Sequence, residues 1–145
     1  IRSQLRNRYE IRRQYASSFF TEISEDQTFS AADEEFVQRL NKYIKDNIAD
    51  QDLNVEKITE YMGVSRTTLF NKMSNLIGSS ANKYIRRIRM NEAKELLSKT
   101  DMPIGEIALK TGFSESQYFS TVFKQETGLT PSQFKDQNYK KGAIN

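Results

Sequence analysis

Val55-Glu-Lys-Ile-Thr-Glu-Tyr-Met-Gly-Val-Ser65 is followed by Leu69, Met73, Gly78 and Tyr84. About 50 residues later, Ile104-Gly-Glu-Ile-Ala-Leu-Lys-Thr-Gly-Phe-Ser114 is followed by Phe119, Phe123, Gly128 and Phe134. In each stretch apolar residues recur at the spacing of one helical face, a glycine lets the chain turn, and a serine opens a second apolar series that again ends at glycine. The pattern, present twice, is that of a helix-turn-helix.

Local signals place the boundaries. Asn54 is positioned to cap a short helix carrying Val55, Ile58 and Met62, and Gly63 supplies the left-handed exit. Ser65 caps the next helix, which buries Leu69, Met73 and Leu76 and stops near Gly78. Ser80 then caps a longer helix from Ala81 to about Ser98, with Tyr84, Ile88, Ala93, Leu96 and Leu97 inward and Lys83, Arg86, Arg87, Arg89 and Lys94 outward. At about 1.5 Å per residue it spans roughly 27 Å, against roughly 34 Å between successive major-groove segments on one face of B-DNA.

The second unit opens at Pro103, read as part of a first helical turn, and buries Ile104, Ile107 and Ala108 before Gly112, with Phe113 anchoring the turn. Ser114-x-x-Gln117 reads as a capping box for a helix that carries Tyr118, Phe119, Val122 and Phe123 at core spacing. Thr130-Pro131-Ser132-Gln133 combines a cap, a proline at the first helical position and a capping glutamine, so a last short helix carries Phe134 inward.

Upstream, Ser30-x-x-Asp33 opens a helix with Phe36, Leu40, Tyr43, Ile44 and Ile48 in one stripe, ending by Asp50. Residues 1–30 have another character. Arg2, Arg6, Arg8, Arg12 and Arg13 crowd their first half, and Ser24-Glu-Asp-Gln-Thr28 follows, which reads as a basic helix and then a linker. Opening in mid-pattern without methionine, the chain reads as a piece of a longer one, with 1–30 leading from an upstream domain. The expected fold is all-α, about seven helices: two helix-turn-helix subdomains joined by a long connector helix. The tandem domain is placed at 31–139 (first unit 54–78, connector 81–98, second unit 103–128), and 140–145 form a flexible tail.

Composition narrows the function. The 145 residues contain no Cys, His or Trp, which removes disulfides, thiolate and imidazole metal sites and the commonest general base. No paired nucleophile and base, metal spacing or phosphate loop is present, so no catalytic residue, metal or cofactor is expected and the chain reads as no enzyme. No run approaches the roughly 18 apolar residues of a membrane span, and a soluble, cytoplasmic protein is expected. The net charge of +3 is small but unevenly distributed: residues 63–100 hold eight Lys or Arg against two acids, residues 33–62 four against eight. A positive field on one side of a doubled helix-turn-helix points to duplex DNA.

A recognition helix buries one face and offers the other to base edges. In the first unit the candidates for base readout are Arg66, Thr67, Thr68, Asn71 and Lys72; in the second they are Glu115, Ser116, Gln117, Ser120, Thr121 and Lys124. Arginine grips guanine in bidentate fashion, asparagine pairs with adenine, threonine methyls meet thymine methyls, and Glu115 is a candidate acceptor for a cytosine amino group or simply a first-turn acid. Ser65, Lys83, Arg86, Arg87, Ser114, Thr130 and Ser132 are candidates for phosphate. The bland reading of all these positions is a solvated helix face, and the competing function is a helical protein-interaction module without DNA readout.

Ile104-Gly-Glu-Ile-Ala-Leu-Lys-Thr-Gly-Phe113, Tyr118-Phe-Ser-Thr-Val-Phe-Lys124, Gly128-Leu-Thr-Pro-Ser-Gln-Phe134 and Tyr84-Ile-Arg-Arg-Ile-Arg-Met-Asn-Glu-Ala-Lys-Glu-Leu-Leu97 together resemble the DNA-binding domain of the AraC/XylS family of bacterial transcription regulators. The resemblance covers residues 33–139. Ala81 stands where similar proteins often carry proline, and Pro103 where a capping serine is common. Ser65-Arg-Thr-Thr-Leu-Phe-Asn-Lys-Met73 and the basic amino-terminal segment look most like the output module of hybrid two-component sensors. The resemblance implies activation through RNA polymerase at promoters, a homodimer formed through upstream domains, no small-molecule ligand in this segment, and a place at the cytoplasmic end of a membrane-anchored sensor.

Overall fold

A computed structural model describes residues 30–139. The basic helix and linker expected within 1–29 and the tail expected at 140–145 lie outside the described residues. Seven helices and no strand occur among them: α1 (Ala31–Asp46), α2 (Val55–Met62), α3 (Arg66–Leu76), α4 (Ala81–Lys99), α5 (Ile104–Lys110), α6 (Ser116–Thr127) and α7 (Pro131–Asn138). None of the described helices is long and apolar enough to cross a membrane.

The described chain divides into two compact units. The first comprises residues 30–46 and 53–88, the second residues 47–52 and 89–139. Helix α4 begins in the first unit and ends in the second.

In the first unit, α1 starts on a reciprocal box: the Asp33 amide donates to Ser30 Oγ at 3.1 Å, and the Ser30 amide donates to the Asp33 carboxylate at 3.4 Å. Phe36, Leu40 and Ile44 are buried as their spacing predicts, and Val37 and Asn41 widen the stripe. The helix ends at Asp46, so Ile48 lies beyond it, in the segment that belongs to the second unit. Asn41 is fully buried, and its side-chain oxygen accepts from the Tyr84 hydroxyl of α4. Two polar groups shut away from water must find each other, so this bond specifies one alignment of α1 against the start of α4. The Tyr43 ring stacks on Tyr61 at 4.3 Å between centroids.

The second unit has a predominantly aromatic centre. Phe113, Phe119 and Phe123 form a chain of tilted rings 5.2 and 5.7 Å apart, and Phe134 meets Phe123 edge-on at 5.5 Å. Met90, Ala93 and Leu97 of α4 and Ile107 and Ala108 of α5 close around them. Thr111 is fully buried, and its hydroxyl donates to the Ile107 carbonyl at 2.8 Å, so its polar atom costs the core little.

The expectations for Arg89, Tyr118 and Pro103 are corrected in this unit. Arg89 does not point outward. It donates from Nη2 to the Asp50 carbonyl at 2.8 Å and from Nη1 to the Gly112 carbonyl at 3.3 Å, and its guanidinium lies 5.9 Å from the Phe113 ring centre. Burial pushes its pKa below the ordinary arginine value, an effect opposed by the Asp50 carboxylate. A long amphipathic side chain at this phase of α4 covers apolar surface with its stem and satisfies loop carbonyls with its head, and a pattern scored only by charge misses that.

Tyr118, expected at core spacing, is 55% exposed. It precedes the fully buried Phe119 by one residue, which rotates it about a quarter turn off the core face. Pro103 precedes α5 rather than opening it: it occupies the cap position in an extended conformation and offers no side-chain acceptor.

Candidate nucleic-acid interface

Each unit presents one helix that follows a turn and carries a polar exposed face. In the first unit that helix is α3. Gly63 leaves α2 with φ of 71°, and Ser65 accepts the Thr68 amide at 3.0 Å, so α3 starts cleanly at Arg66. Leu69, Met73 and Leu76 anchor it to the core. Arg66, Thr67, Phe70 and Asn71 are exposed, and their spacing of three and four residues puts them on neighbouring turns of one face. The Arg66 guanidinium is ion-paired with the Glu56 carboxylate of α2.

The other two candidates in this helix are placed differently. Thr68 is half-buried, and its hydroxyl accepts from the Ser65 hydroxyl at 3.0 Å. Lys72 is also half-buried, 3.5 Å from the Asp33 carboxylate and 5.3 Å from the Phe36 ring centre, turned back toward α1. The exposed face of α3 therefore groups Arg66, Thr67 and Asn71, with Thr68 and Lys72 tied to structure beside it.

In the second unit the helix is α6, and its start corrects the capping box read from Ser114 and Gln117. Glu115 occupies the cap position, and no side-chain bond caps the helix. The Phe119 amide closes the first turn on the Glu115 carbonyl at 3.1 Å. Ser65 precedes the core residue Leu69 by four positions, but Ser114 precedes Phe119 by five. Because the buried phenylalanine fixes the helix phase, the extra residue goes into the turn and Ser114 falls one step outside.

Glu115, Ser116, Gln117, Thr121 and Lys124 are exposed and Ser120 is half-buried. The Thr121 hydroxyl donates to the Gln117 carbonyl of its own helix at 3.1 Å. Counted from the first helical residue, Arg66 corresponds to Ser116, Thr67 to Gln117 and Asn71 to Thr121. Lys72 then corresponds to the buried Val122, which explains why the lysine is drawn inward.

Among the phosphate candidates, Ser65, Lys83, Arg86, Ser114 and Ser132 are exposed, while Arg87 and Thr130 are half-buried. Ser80 caps α4 by accepting the Lys83 amide at 3.3 Å. At α7 the box is complete: Thr130 Oγ1 accepts the Gln133 amide at 3.1 Å, and Gln133 Oε1 accepts the Thr130 amide at 3.0 Å. Exposed aromatic residues went unmarked among the candidates. Phe70 on α3 is 64% exposed, and a cavity of about 360 Å³ beside it is lined by residues of α3, by Val55 of α2 and by Ser79, Ser80, Ala81 and Asn82. The signal for Phe70 was its position next to the anchor Leu69, off the core phase.

This arrangement has known counterparts. The helix-turn-helix domain family matches residues 58–137. The arabinose operon regulatory protein of Escherichia coli is 33% identical over 99 residues, which cover 68% of this chain and 34% of that protein. A protein of Formosa agariphila named histidine kinase P4 is 32% identical over 136 residues, or 94% of this chain and 10% of its own length. The structure is also similar to the C-terminal domain of AraT, a response regulator from Geobacillus stearothermophilus, with a TM-score of 0.67 at 35% identity, covering 72% of this chain and 86% of that one. The chain thus spans about a tenth and about a third of the length of these two curated relatives. The doubled helix-turn-helix and these matches establish that the chain belongs to the AraC/XylS family of helix-turn-helix DNA-binding domains.

Proposed function

We propose that α3 and α6 are the recognition helices and that they enter adjacent major-groove segments of a promoter, reading two half-elements of an asymmetric site. The observation that carries the reading is the face of α3, where Arg66, Thr67 and Asn71 stand exposed on successive turns of a helix rigidly capped by Ser65 and anchored by Leu69 and Met73. Arg66 is assigned to a guanine, Asn71 to an adenine and Thr67 to a thymine methyl, with Thr68 and Lys72 at the margin. In the second half-element Gln117, Ser116 and Thr121 face the bases, with Glu115, Ser120 and Lys124 at the edges of the contact.

Phosphate contacts fall to Ser65, Lys83, Arg86 and Arg87 in the first unit and to Ser114, Thr130 and Ser132 in the second. These contacts fix orientation and carry the salt dependence, while the helix faces carry the sequence preference.

In this proposal the domain is the output of a two-component signalling protein and activates transcription through RNA polymerase, with dimerisation through upstream domains. The similarity to a protein named as a histidine kinase over 94% of this chain, and to the C-terminal domain of a response regulator, supports it. Selection of the chain against a randomised duplex library at physiological salt tests the DNA reading. Two enriched elements about one helical turn apart are expected, and a single element insensitive to changes in α6 would overturn the tandem mechanism.

A further inference from the structure

We infer that Phe70 is a specificity-determining residue that seats its ring against the C5-methyl group of a thymine in the half-element read by α3. The inference rests on the DNA reading above and names one further contact within it.

Leu69 is buried at 2% exposure and fixes the phase of the helix, so its neighbour Phe70 is turned away from the core and is 64% exposed. It lies four residues after Arg66, three after Thr67 and directly before Asn71, among the three most exposed polar candidates of the same face. The ring also helps to line the cavity of about 360 Å³ together with Arg66 and Thr67. Its own unit leaves most of the ring uncovered.

A phenyl ring has nothing to offer a phosphate or a base hydrogen-bonding edge. In the four standard base pairs the major groove displays one apolar group, the thymine methyl, and phenylalanine is among the side chains suited to meet it. The flanking arginine and asparagine supply the directional bonds that hold a base pair in register beside that ring. In α6 the corresponding position is Ser120, half-buried and without an apolar surface of comparable size. A phenyl ring against a thymine methyl therefore belongs to the α3 half-element only, which makes the site asymmetric in a chemically specific way.

The test uses the full chain and the duplex enriched by selection. Each thymine is replaced singly by deoxyuridine, which removes the methyl and leaves every hydrogen-bonding group in place. Affinities are measured for the wild type and for Phe70→Ala, with urea unfolding of both proteins as the control for folding. One position in the α3 half-element is expected to cost the wild type about fourfold, the equivalent of one buried methyl, and to cost Phe70→Ala nothing further.

Deoxyuridine penalties that are the same at every position in both proteins would overturn the Phe70 assignment while leaving the DNA reading intact. A chain that enriches no duplex would overturn the DNA reading and the assignment with it. If the only methyl-dependent position in the α3 half-element loses its penalty in Thr67→Ala and keeps it in Phe70→Ala, the methyl contact belongs to Thr67 alone and the role given to Phe70 is overturned.

Discussion

The Ser65 hydroxyl accepts the amide of Thr68 at 3.0 Å and closes the first turn of α3. The corresponding helix in the second unit starts on Glu115 without a side-chain cap. Removing a capping oxygen costs about 1 kcal/mol, whereas a surface change away from such a feature stays within about 0.5 kcal/mol. Ser65→Ala is therefore expected to lower stability by about 1 kcal/mol and Ser114→Ala to leave it nearly unchanged, as read by urea midpoints at constant slope. Equal losses would restore Ser114 as a cap.

Gly63 and Gly112 both turn the chain with positive φ, but in different surroundings. An added Cβ at Gly63 meets nothing within 4 Å, whereas at Gly112 it falls 2.5 Å from the Ile48 carbonyl oxygen and 2.6 Å from Arg89 Cζ. Gly63→Ala is expected to cost about 1–2 kcal/mol from the left-handed conformation alone. Gly112→Ala adds a collision with main chain that cannot move aside cheaply, so a distinctly larger loss is expected in thermal unfolding.

Arg66→Ala is expected to weaken binding to the selected site by about 1–3 kcal/mol and to relax preference at one base position. Its partner Glu56 is mostly exposed, and the pair contributes at most about 1 kcal/mol to stability. The folded protein should therefore survive the substitution, and a repeated library selection reads the effect directly. An unchanged base preference would remove Arg66 from the reading face.

Affinity should fall steeply with salt, because phosphates neutralised by lysine and arginine release counterions. Lys83→Ala and Arg86→Ala are each expected to reduce the slope of log K against log salt by about 1. Arg89→Met should leave that slope unaltered and instead destabilise the fold by about 1.5–3 kcal/mol, the range for hydrogen bonds to a charged group. Salt titrations on the three variants separate an arginine that meets DNA from one that holds the protein together.

The fold was legible wherever a signal was local. Asn54, Ser65, Ser80 and the Thr130–Gln133 box cap the helices that their types and spacings predict, because each bond is made within one turn of chain. The anchors Leu69, Met73, Phe119 and Phe123 were equally visible from periodicity. Ser114-x-x-Gln117 has the residue types of a capping box, but the buried Phe119 lies five residues after Ser114, and that spacing places the cap at Glu115 instead. Arg89 was illegible for another reason: its partners, the carbonyls of Asp50 and Gly112, lie far off in sequence and belong to main chain, which carries no residue identity. Among the proposed reading residues, Arg66, Thr67 and Asn71 follow from phase alone, but the inward turn of Lys72 depends on Asp33 and Phe36 of another helix.

The second unit is not a continuous piece of chain. Its closing contacts include residues 47–52, whose Asp50 carbonyl receives Arg89 and whose Ile48 carbonyl stands over Gly112. A genetic cut at the start of α4, or anywhere between residues 53 and 88, would separate the carboxy-terminal helix-turn-helix from six residues that it uses as its own. Any attempt to express that unit alone, or to exchange it between regulators as a cassette, must carry this distant strip along or supply a substitute for it.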